Sequence, residues 1–198
     1  MEKWLDKIIL ESELVKLQPL KKSYRTALFN AAEDGKLWEL KYTSVPSKDS
    51  VESYINSALQ HSEAGNALPF VVIFKSTNTI IGSTRYCNAA PEYKRLEIGY
   101  TWYSKSYQRT AVNTHCKFLL LRHAFEELNC ICVQFKTHLK NIASRRAIER
   151  LGAKQDGILR NDRIMNDGSY RDTVVYSIIE EEWPYIKKEL ESKMKADF

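Results

Sequence analysis

The spacing of apolar residues along the chain predicts alternating strands and helices. From Leu14 to Leu20, apolar and polar residues alternate as they do in a half-buried strand. Alternation and short apolar runs predict further strands at Phe70–Phe74, Ile80–Tyr86, Arg95–Tyr103, Ile131–Thr137, Lys154–Met165 and Tyr170–Ile179. Apolar residues three and four positions apart predict helices at Lys21–Glu33, Ser47–Leu59, Asn113–Leu128, Asn141–Gly152 and Glu180–Met194. The order β, α, α, βββ, α, β, α, ββ, α is typical of a mixed α/β domain.

Turn signals and connection lengths predict how these strands pair. The turn at Thr77-Asn78 joins two strands into an antiparallel hairpin, and Arg95–Tyr103 continues the meander. The strand, helix and strand between Arg95 and Thr137 predict a right-handed crossover and a parallel pair. Asn166-Asp167-Gly168 predicts a terminal hairpin. The predicted fold class is therefore α/β, an α+β mixed sheet in which an antiparallel meander runs into a parallel strand pair with flanking helices.

The segment from Arg95 to Leu128 has the physical features of an anion site. Its strand ends near Tyr103, a short polar and basic segment follows, and the helix begins near Val112 or Asn113. A helix N-terminus presents unpaired backbone N–H groups and the positive end of the helix dipole. This arrangement predicts that the segment binds an anion.

One glycine stands inside the strand of that segment. Gly99 indicates either a bulge or close packing beneath an aromatic ring, and the pattern leaves both open. Strand alternation places Glu97, Gly99 and Thr101 on one face of the sheet. A bulge there would also separate this strand from the Ile131–Thr137 strand and open a slot between them.

Composition and charge narrow the class of protein. The 198 residues are 43% apolar and 28% charged, with no long uncharged apolar run, so we expect a soluble cytoplasmic protein without a membrane partner. The N-terminus lacks the features of a secretory signal. The net charge is +5, yet residues 104–171 carry 13 Lys/Arg against 6 Asp/Glu, which indicates an anionic partner. No motif that reads RNA or DNA is present, so we expect no specific nucleic-acid partner.

The four cysteines indicate neither a metal site nor a disulfide framework. Cys130 and Cys132 are two residues apart, whereas Cys87 and Cys116 stand alone, and no CxxC pair occurs. Structural zinc requires a denser cluster than this. We therefore expect reduced, mostly buried thiols and no metal.

Three stretches carry a resemblance to a known family, and a fourth, at the end of the chain, fits its terminal hairpin. They are Leu96–Tyr103 (LEIGYTWY), Gln108–Leu128 (QRTAVNTHCKFLLLRHAFEEL), Asn141–Asn161 (NIASRRAIERLGAKQDGILRN) and Asp167–Ile178 (DGSYRDTVVYSI). Together they resemble the GNAT superfamily of acetyl-CoA-dependent N-acetyltransferases, and most closely its RimJ/RimL-type (ribosomal-protein N-terminal acetyltransferase-like) branch. The resemblance implies a single GNAT-like N-acetyltransferase domain over residues 1–198, a monomer or homodimer, with acetyl-CoA as acyl donor. The acceptor would be an amine, either a protein N-terminus or a small molecule.

The chain departs from the family in its phosphate-binding loop. That loop usually reads Q/R-x-x-G-x-G/A, whereas the segment Gln108–Asn113 (QRTAVN) contains no glycine. Ala111 stands at the first small position and Asn113 at the second. Alanine is tolerated there if its φ stays negative. The departure allows weakened binding of CoA or a changed acyl donor.

The resemblance also implies a set of site residues. The predicted acetyl-CoA contacts are Ile98, Tyr100, Trp102, Gln108, Arg109, Thr110, Ala111, Val112, Asn113, Thr114, Asn141, Ser144 and Arg145. Strand residues would offer their backbone edge to the pantetheine arm, and loop amides would bind the pyrophosphate. Arg109 is equally consistent with a solvent-facing arginine that binds nothing. Asn141 is equally consistent with a helix N-cap.

Four residues are candidates for proton transfer. Glu97, on an inward strand face, would act as the base directly or through water, although an ion pair to Arg95 or another sheet arginine fits it equally well. The resemblance implies Ser144 as the donor of a proton to the leaving thiolate. Tyr103 and Tyr107 are rival donors.

Three functions follow in order of preference. The first is an N-acetyltransferase that acts on a primary amine, a protein N-terminal α-amino group being one candidate. The second, favoured by the glycine-free loop, is a noncatalytic acyl-CoA-binding or regulatory module. The third is a basic protein that binds RNA or ribosomes.

Overall fold

An eight-stranded mixed sheet forms the framework of the protein. The computed structural model describes residues 4–165 and 167–196. Its strands are β1 (Leu10–Glu11), β2 (Val15–Pro19), β3 (Leu68–Phe74), β4 (Thr79–Ala90), β5 (Arg95–Tyr103), β6 (Cys132–His138), β7 (Lys154–Ile164) and β8 (Tyr170–Ile179). Its helices are α1 (Arg25–Glu33), α2 (Val51–Glu63), α3 (Val112–Arg122), α4 (Ile142–Glu149) and α5 (Trp183–Ala196). The predicted mixed α/β class with flanking helices is confirmed.

The strands lie in the order β1-β2-β3-β4-β5-β6-β8-β7. Neighbours are antiparallel except for β5 and β6, which are parallel. The predicted meander and parallel pair are therefore confirmed. Helix α3 connects these two parallel strands, as a crossover of this length must.

Two helical layers cover the sheet. Helices α1 and α2 pack on one face, called here the α1–α2 face, in a cluster that includes Leu28, Ile55 and Trp102. Helices α3 and α5 pack on the other, the α3–α5 face, in a larger cluster that includes Leu120 and Tyr103. Because successive strand residues point to opposite faces, the neighbours Trp102 and Tyr103 belong to different cores.

Several element boundaries differ from those predicted. Helix α2 begins at Val51 rather than at Ser47, and the Ser47 N–H donates to Oγ of Ser50 at 2.8 Å in the turn that precedes the helix. Strand β4 continues to Ala90, where a loop was predicted, because a second bulge keeps it paired with β5. The helix that begins with α3 continues past Arg122 as a π-helical segment, His123–Glu127.

The terminal hairpin pairs as predicted, with Gly168 at φ +78° in its turn. Asn166, the first residue of the predicted turn, lies outside the described residues. All four cysteines are free thiols, and Cys132 is the least buried of them. Within the described ranges, none of the helices combines the length and apolarity that crossing a bilayer requires.

Candidate active site

The two parallel strands separate partway along the sheet. Strands β5 and β6 pair only from Arg95–Glu97 to Cys132–Gln134. Past Glu97, β5 remains paired with β4 only, and β6 remains paired with β8 only. The resulting gap, called here the fork, opens toward the ends at which both strands finish. A fork exposes the backbone edge of β5 from Ile98 onward to a ligand.

A bulge in β5 lies beside the fork. Arg85 pairs with Gly99 and Ser83 pairs with Trp102, so β5 carries one more residue than β4 between these pairs. Tyr100 has a left-handed φ of +51° and is the residue that accommodates the extra length. The predicted bulge is therefore present, immediately after Gly99.

Close packing accounts for the glycine itself. A Cβ on Gly99 would lie 3.3 Å from Sγ of Cys87 and 3.3 Å from Oε1 of Glu97. Both distances are tighter than ordinary van der Waals contact. Gly99 thus makes room for two neighbouring side chains rather than for an aromatic ring.

The bulge reverses the face of the residues that follow it. Glu97 and Gly99 share the α1–α2 face, as predicted. The extra residue at Tyr100 turns Thr101 to the α3–α5 face, where its Oγ1 accepts a hydrogen bond from Nζ of Lys117 at 2.6 Å. The prediction for Thr101 was wrong because simple alternation assumes a strand without a bulge.

The loop before α3 turns without glycine. Ala111 has φ −61°, the negative value on which the sequence analysis depended. Arg109 takes the left-handed conformation instead, with φ +62°. Two bonds tie the loop to the end of β5: Gln108 Nε2 donates to the Tyr103 carbonyl at 2.9 Å, and the Tyr103 hydroxyl donates to Asn113 Oδ1 at 3.2 Å.

The first turn of α3 is suited to an anion. Its N-cap position has no side-chain cap, and its first turn contains no acidic residue. Thr110 Oγ1 accepts the Val112 N–H at 3.3 Å, and Thr114 is half-buried one turn on. The N–H groups of a first helical turn have no partners within the helix. A cavity of about 360 Å³, lined in part by Phe74 and Tyr107, lies beside this loop.

The N-terminus of α4 lies at the same edge of the sheet. It follows β6 as the α3 loop follows β5, and parallel strands end at a common edge. Asn141 Oδ1 accepts the Ser144 N–H at 3.1 Å, which confirms the N-cap. Arg145 Nε donates to the Tyr176 hydroxyl at 3.0 Å. That bond holds the Arg145 side chain against β8, and the predicted contact of Arg145 with the coenzyme stays a prediction.

Glu97 is buried beside the bulge and already has partners. Its Oε2 accepts a hydrogen bond from Asn88 Nδ2 at 2.8 Å and lies 3.4 Å from Nζ of Lys136. The ion pair considered in the sequence analysis is therefore present, but with a lysine of β6 rather than with Arg95. The two polar partners keep the carboxylate oriented on the α1–α2 face of the fork.

The remaining candidate proton donors differ in environment. The Tyr103 hydroxyl is enclosed, and burial raises the pKa of that phenol well above its usual value. Tyr107 packs against Phe74, with ring centroids 4.9 Å apart. Ser144 is half-buried in the first turn of α4. Burial thus makes Tyr103 a weaker acid than an ordinary tyrosine.

Lys117 closes the fork from the α3–α5 face and was missed by the sequence analysis. Its Nζ bonds to Thr101 of β5 and lies 5.9 Å from the ring centre of Phe135 on β6. Burial lowers the pKa of Lys117 from 10.5 to about 8. A signal was available, because Lys117 stands three and four residues before the buried pair Leu120 and Leu121, on the same helix stripe.

With this geometry on hand, the family follows from comparison with known proteins. The sequence profile of the Acetyltransferase (GNAT) domain matches residues 15–154, well over half of the chain. The chain therefore belongs to the GNAT acetyltransferase family, and the predicted family is confirmed.

Individual relatives agree with that membership. YdaF of Bacillus subtilis (strain 168), a ribosomal N-acetyltransferase by provisional assignment, is 33% identical over 90 residues. The match covers 46% of this chain and 48% of YdaF, so it spans about half of that relative's length.

Solved structures match over nearly the whole chain. An acetyltransferase of provisional assignment from T. thermophilus is 32% identical with a TM-score of 0.83, covering 96% of this chain and 98% of the other. A GCN5-related N-acetyltransferase from Brucella melitensis is 26% identical with a TM-score of 0.85, over 96% and 86% of the two chains. RimL, a ribosomal alpha-N-protein acetyltransferase solved in complex with coenzyme A, shares the fold at 20% identity and a TM-score of 0.74, over 87% and 98%.

Proposed function

We propose that this chain is an N-acetyltransferase that moves an acetyl group from acetyl-CoA to a primary amine. The observation that carries the proposal is the fork past Glu97, which opens beside the uncapped first turn of α3. A slot that ends at an anion-binding helix terminus fits a long donor with a pyrophosphate in its middle and a thioester at its tip. Membership in the GNAT family supports the same function.

Backbone groups would hold most of the donor. The amides of residues 109–114 and the helix dipole would bind the pyrophosphate, and the exposed Arg109 guanidinium would add a charged contact. The freed edge of β5 would bond the pantetheine arm. The side chains of Ile98 and Trp102 lie in opposite cores, so their contribution would come from the main chain.

Acetyl transfer requires two proton transfers, and side chains of the protein would carry out both. Acetyl-CoA supplies a thioester carbonyl, at which a C–N bond forms as the C–S bond breaks. Glu97 would take a proton from the acceptor's ammonium group, directly or through water, and the resulting neutral amine would attack the carbonyl. Ser144 would return a proton to the thiolate. The Tyr103 hydroxyl is buried and already donates to Asn113 Oδ1, so it is less available for the second role.

The acceptor we favour is a protein N-terminal α-amino group. The assignments of YdaF and RimL to ribosomal proteins support this class of acceptor, each as a property of that relative. The α1–α2 face of the fork is the side from which an acceptor would approach, because Lys117 closes the opposite side.

Two measurements test the proposal. Added CoA should raise the melting temperature, and acetyl-CoA with an amine peptide should release free thiol. A protein that shows neither effect would contradict the proposal. CoA-dependent stabilisation without turnover on any amine would indicate a noncatalytic acyl-CoA-binding module instead.

A pair of variants at one position tests the role of the loop. Asn113→Pro removes a backbone N–H from the first turn, where proline is tolerated, and should weaken CoA binding by about 10-fold. Asn113→Ala keeps the amide and removes only the side chain, so its loss should be smaller. Equal losses in the two variants would count against binding by the amide. Ser144→Ala should slow turnover more than it weakens CoA binding.

A further inference from the structure

A buried arginine on β4 faces the bulge from the α1–α2 face. Arg85 is 4% exposed and pairs across the sheet with Gly99. Its guanidinium carbon lies 5.1 Å from the ring centre of Tyr54 on α2 and 4.0 Å from that of Tyr100 in the bulge. The cation is therefore enclosed between two aromatic faces.

The guanidinium has no polar partner among the residues that the structure describes. Its Nε is buried without a hydrogen bond, and no ion pair joins Arg85 to a described carboxylate. Buried charges are normally paired, because removal of an ion from water costs several kcal/mol. Stacking on aromatic rings offsets only about 2 kcal/mol of such a cost. An arginine left in this state is poised to receive an anion.

The neighbouring charges leave that position open to an anion. Glu97, the acid nearest along β5, is held by Asn88 and Lys136 instead. Arg171 of β8 lies within electrostatic range of Asp162, Glu97 and Tyr100. Glu97 thus interacts with both Lys136 and Arg171, and Asp162 also acts on Arg171. Neither carboxylate forms an ion pair with Arg85, so a carboxylate supplied by a ligand would give Arg85 a partner.

The two rings around Arg85 differ in freedom. Tyr54 is tethered, because its hydroxyl accepts the indole N–H of Trp102 at 3.2 Å and lies 3.4 Å from Oγ of Ser83. Tyr100 is 45% exposed. A ligand would therefore reach the guanidinium from the Tyr100 side, which is the side of the fork.

The position of Arg85 relative to Glu97 sets the size of the ligand. Cys87 pairs with Glu97 and Arg85 pairs with Gly99, so Arg85 and Glu97 are diagonal neighbours on one face. Diagonal neighbours are separated by roughly 7–8 Å between their Cα atoms. An amine beside Glu97 and an anion beside Arg85 would then be a few bonds apart in one molecule. A guanidinium edge matches a carboxylate with two parallel hydrogen bonds.

We infer that Arg85 selects acceptors that carry a carboxylate within a few bonds of the amine, an inference that rests on the acetyl transfer proposed above. The same chemistry occurs in a peptide with an N-terminal Asp or Glu and in a free acidic amino acid. Acceptors of equal size that carry an amide in place of the carboxylate are poor substrates.

The test compares matched acceptors by thiol release from acetyl-CoA. Peptides with amidated C-termini begin with Asp, Glu, Asn or Gln and are otherwise identical. The free amino acids aspartate, asparagine, glutamate and glutamine form a separate arm. The wild-type kcat/KM should favour Asp over Asn, or Glu over Gln, by about 10- to 100-fold in at least one arm. The arm with the larger ratio identifies the source of the carboxylate.

Variants assign the preference to one residue. Arg85→Met should bring the acid-to-amide ratio close to 1, and Arg85→Lys should restore part of it because the charge returns without the two-bond geometry. Arg95→Met removes an exposed arginine at the start of β5 and should keep the wild-type ratio. A CoA-dependent rise in melting temperature shows that each variant is folded.

The outcomes separate this inference from the proposed function. Wild-type protein that acetylates amide and acidic peptides equally, or only neutral ones, overturns the selection by Arg85 and leaves acetyl transfer standing. An acid preference that survives in Arg85→Met also overturns it. Absence of both CoA stabilisation and turnover overturns the proposed function, and the inference falls with it.

Discussion

The two faces of the sheet at the β5 bulge each bury a cation, but only one of these cations is paired. On the α3–α5 face, Lys117 donates to Thr101 at 2.6 Å, and Thr101 lies 2.8 Å from Thr84 between hydroxyl oxygens. On the α1–α2 face, Arg85 lies between tyrosine rings and has no hydrogen bond or ion pair within the described part of the chain.

This difference in pairing indicates a structural role for Lys117 and a binding role for Arg85. A buried polar group with a partner stabilises the conformation that brings the two together, whereas one without a partner costs free energy until a ligand arrives. The hydrogen-bonded side of the bulge therefore holds the shape of the fork. The unpaired side is the one that we propose to contact the acceptor. The variants below test this division, from the largest expected effect to the smallest.

Glu97→Gln should have the largest effect, because it removes the proposed base from the α1–α2 face. General-base catalysis is worth about 10²- to 10⁴-fold, so kcat should fall by about 100-fold or more while CoA affinity changes little. Steady-state kinetics and a CoA titration measure the two quantities. Lys136→Met, which breaks the ion pair alone, is the control. Wild-type kcat in Glu97→Gln would return Glu97 to a purely structural role.

Thr101→Val should destabilise the fold without the same loss of chemistry. It removes the acceptor of Lys117 and one hydroxyl from the pair with Thr84, so the free energy of unfolding should drop by about 2 kcal/mol. Chemical denaturation measures the change. Thr79→Val, at an exposed position, should cost less than about 0.5 kcal/mol. A loss in Thr101→Val no larger than that of the control would show that the α3–α5 side does not hold the bulge.

Lys117→Met should change how stability depends on pH. The pKa of Lys117 is about 8 in the folded protein against 10.5 ordinarily, so the unfolded state binds more protons between these values. The free energy of unfolding of the wild type, relative to Lys117→Met, should therefore rise by about 1.4 kcal/mol from pH 7 to pH 9. Cys87 and Cys116 lie within electrostatic range of Lys117, but burial raises their pKa to about 12, so both stay protonated in the folded proteins over this range and their contributions cancel. If the difference in free energy of unfolding between the two proteins did not change with pH, the Lys117 ammonium group would be solvated rather than buried.

Tyr54→Phe should have the smallest effect of the four. The ring over Arg85 remains, but the indole N–H of Trp102 loses its acceptor, so we expect a loss of about 1 kcal/mol in stability. The ratio of rates for acidic and amide acceptors should stay at the wild-type value. A changed ratio would mean that the hydroxyl, and not Arg85, contacts the acceptor.

Local signals predicted most of the fold. The bounds of β5 match the prediction at both ends, and Asn141 caps α4 through its own side chain. The extension of β4 to Ala90 escaped prediction, because Pro91 and its neighbours read as a loop while pairing with β5 keeps the strand in the sheet. The short β1 was not predicted either, since two residues carry no periodicity.

The site divides in the same way. The loop before α3 was predicted together with its departure from the family, the absence of glycine. Ala111 keeps the negative φ that this loop requires, and Arg109 makes the left-handed turn. Arg85 was not singled out, because nothing near it in sequence shows that Tyr54 and Tyr100 enclose it. Lys117 was overlooked although its helix position pointed inward.

The sequence by itself determined the order of the predicted elements, the Asn141 cap of α4 and the crossover between β5 and β6, and it predicted an anion site at the α3 N-terminus. These properties depend on residues close together in the chain. Only the tertiary structure decided where β5 leaves β6, which residues face each side and which buried cation lacks a partner. The physical reason is that one extra residue at Tyr100 reverses the side chains that follow it, and such a bulge is set by pairing between distant strands.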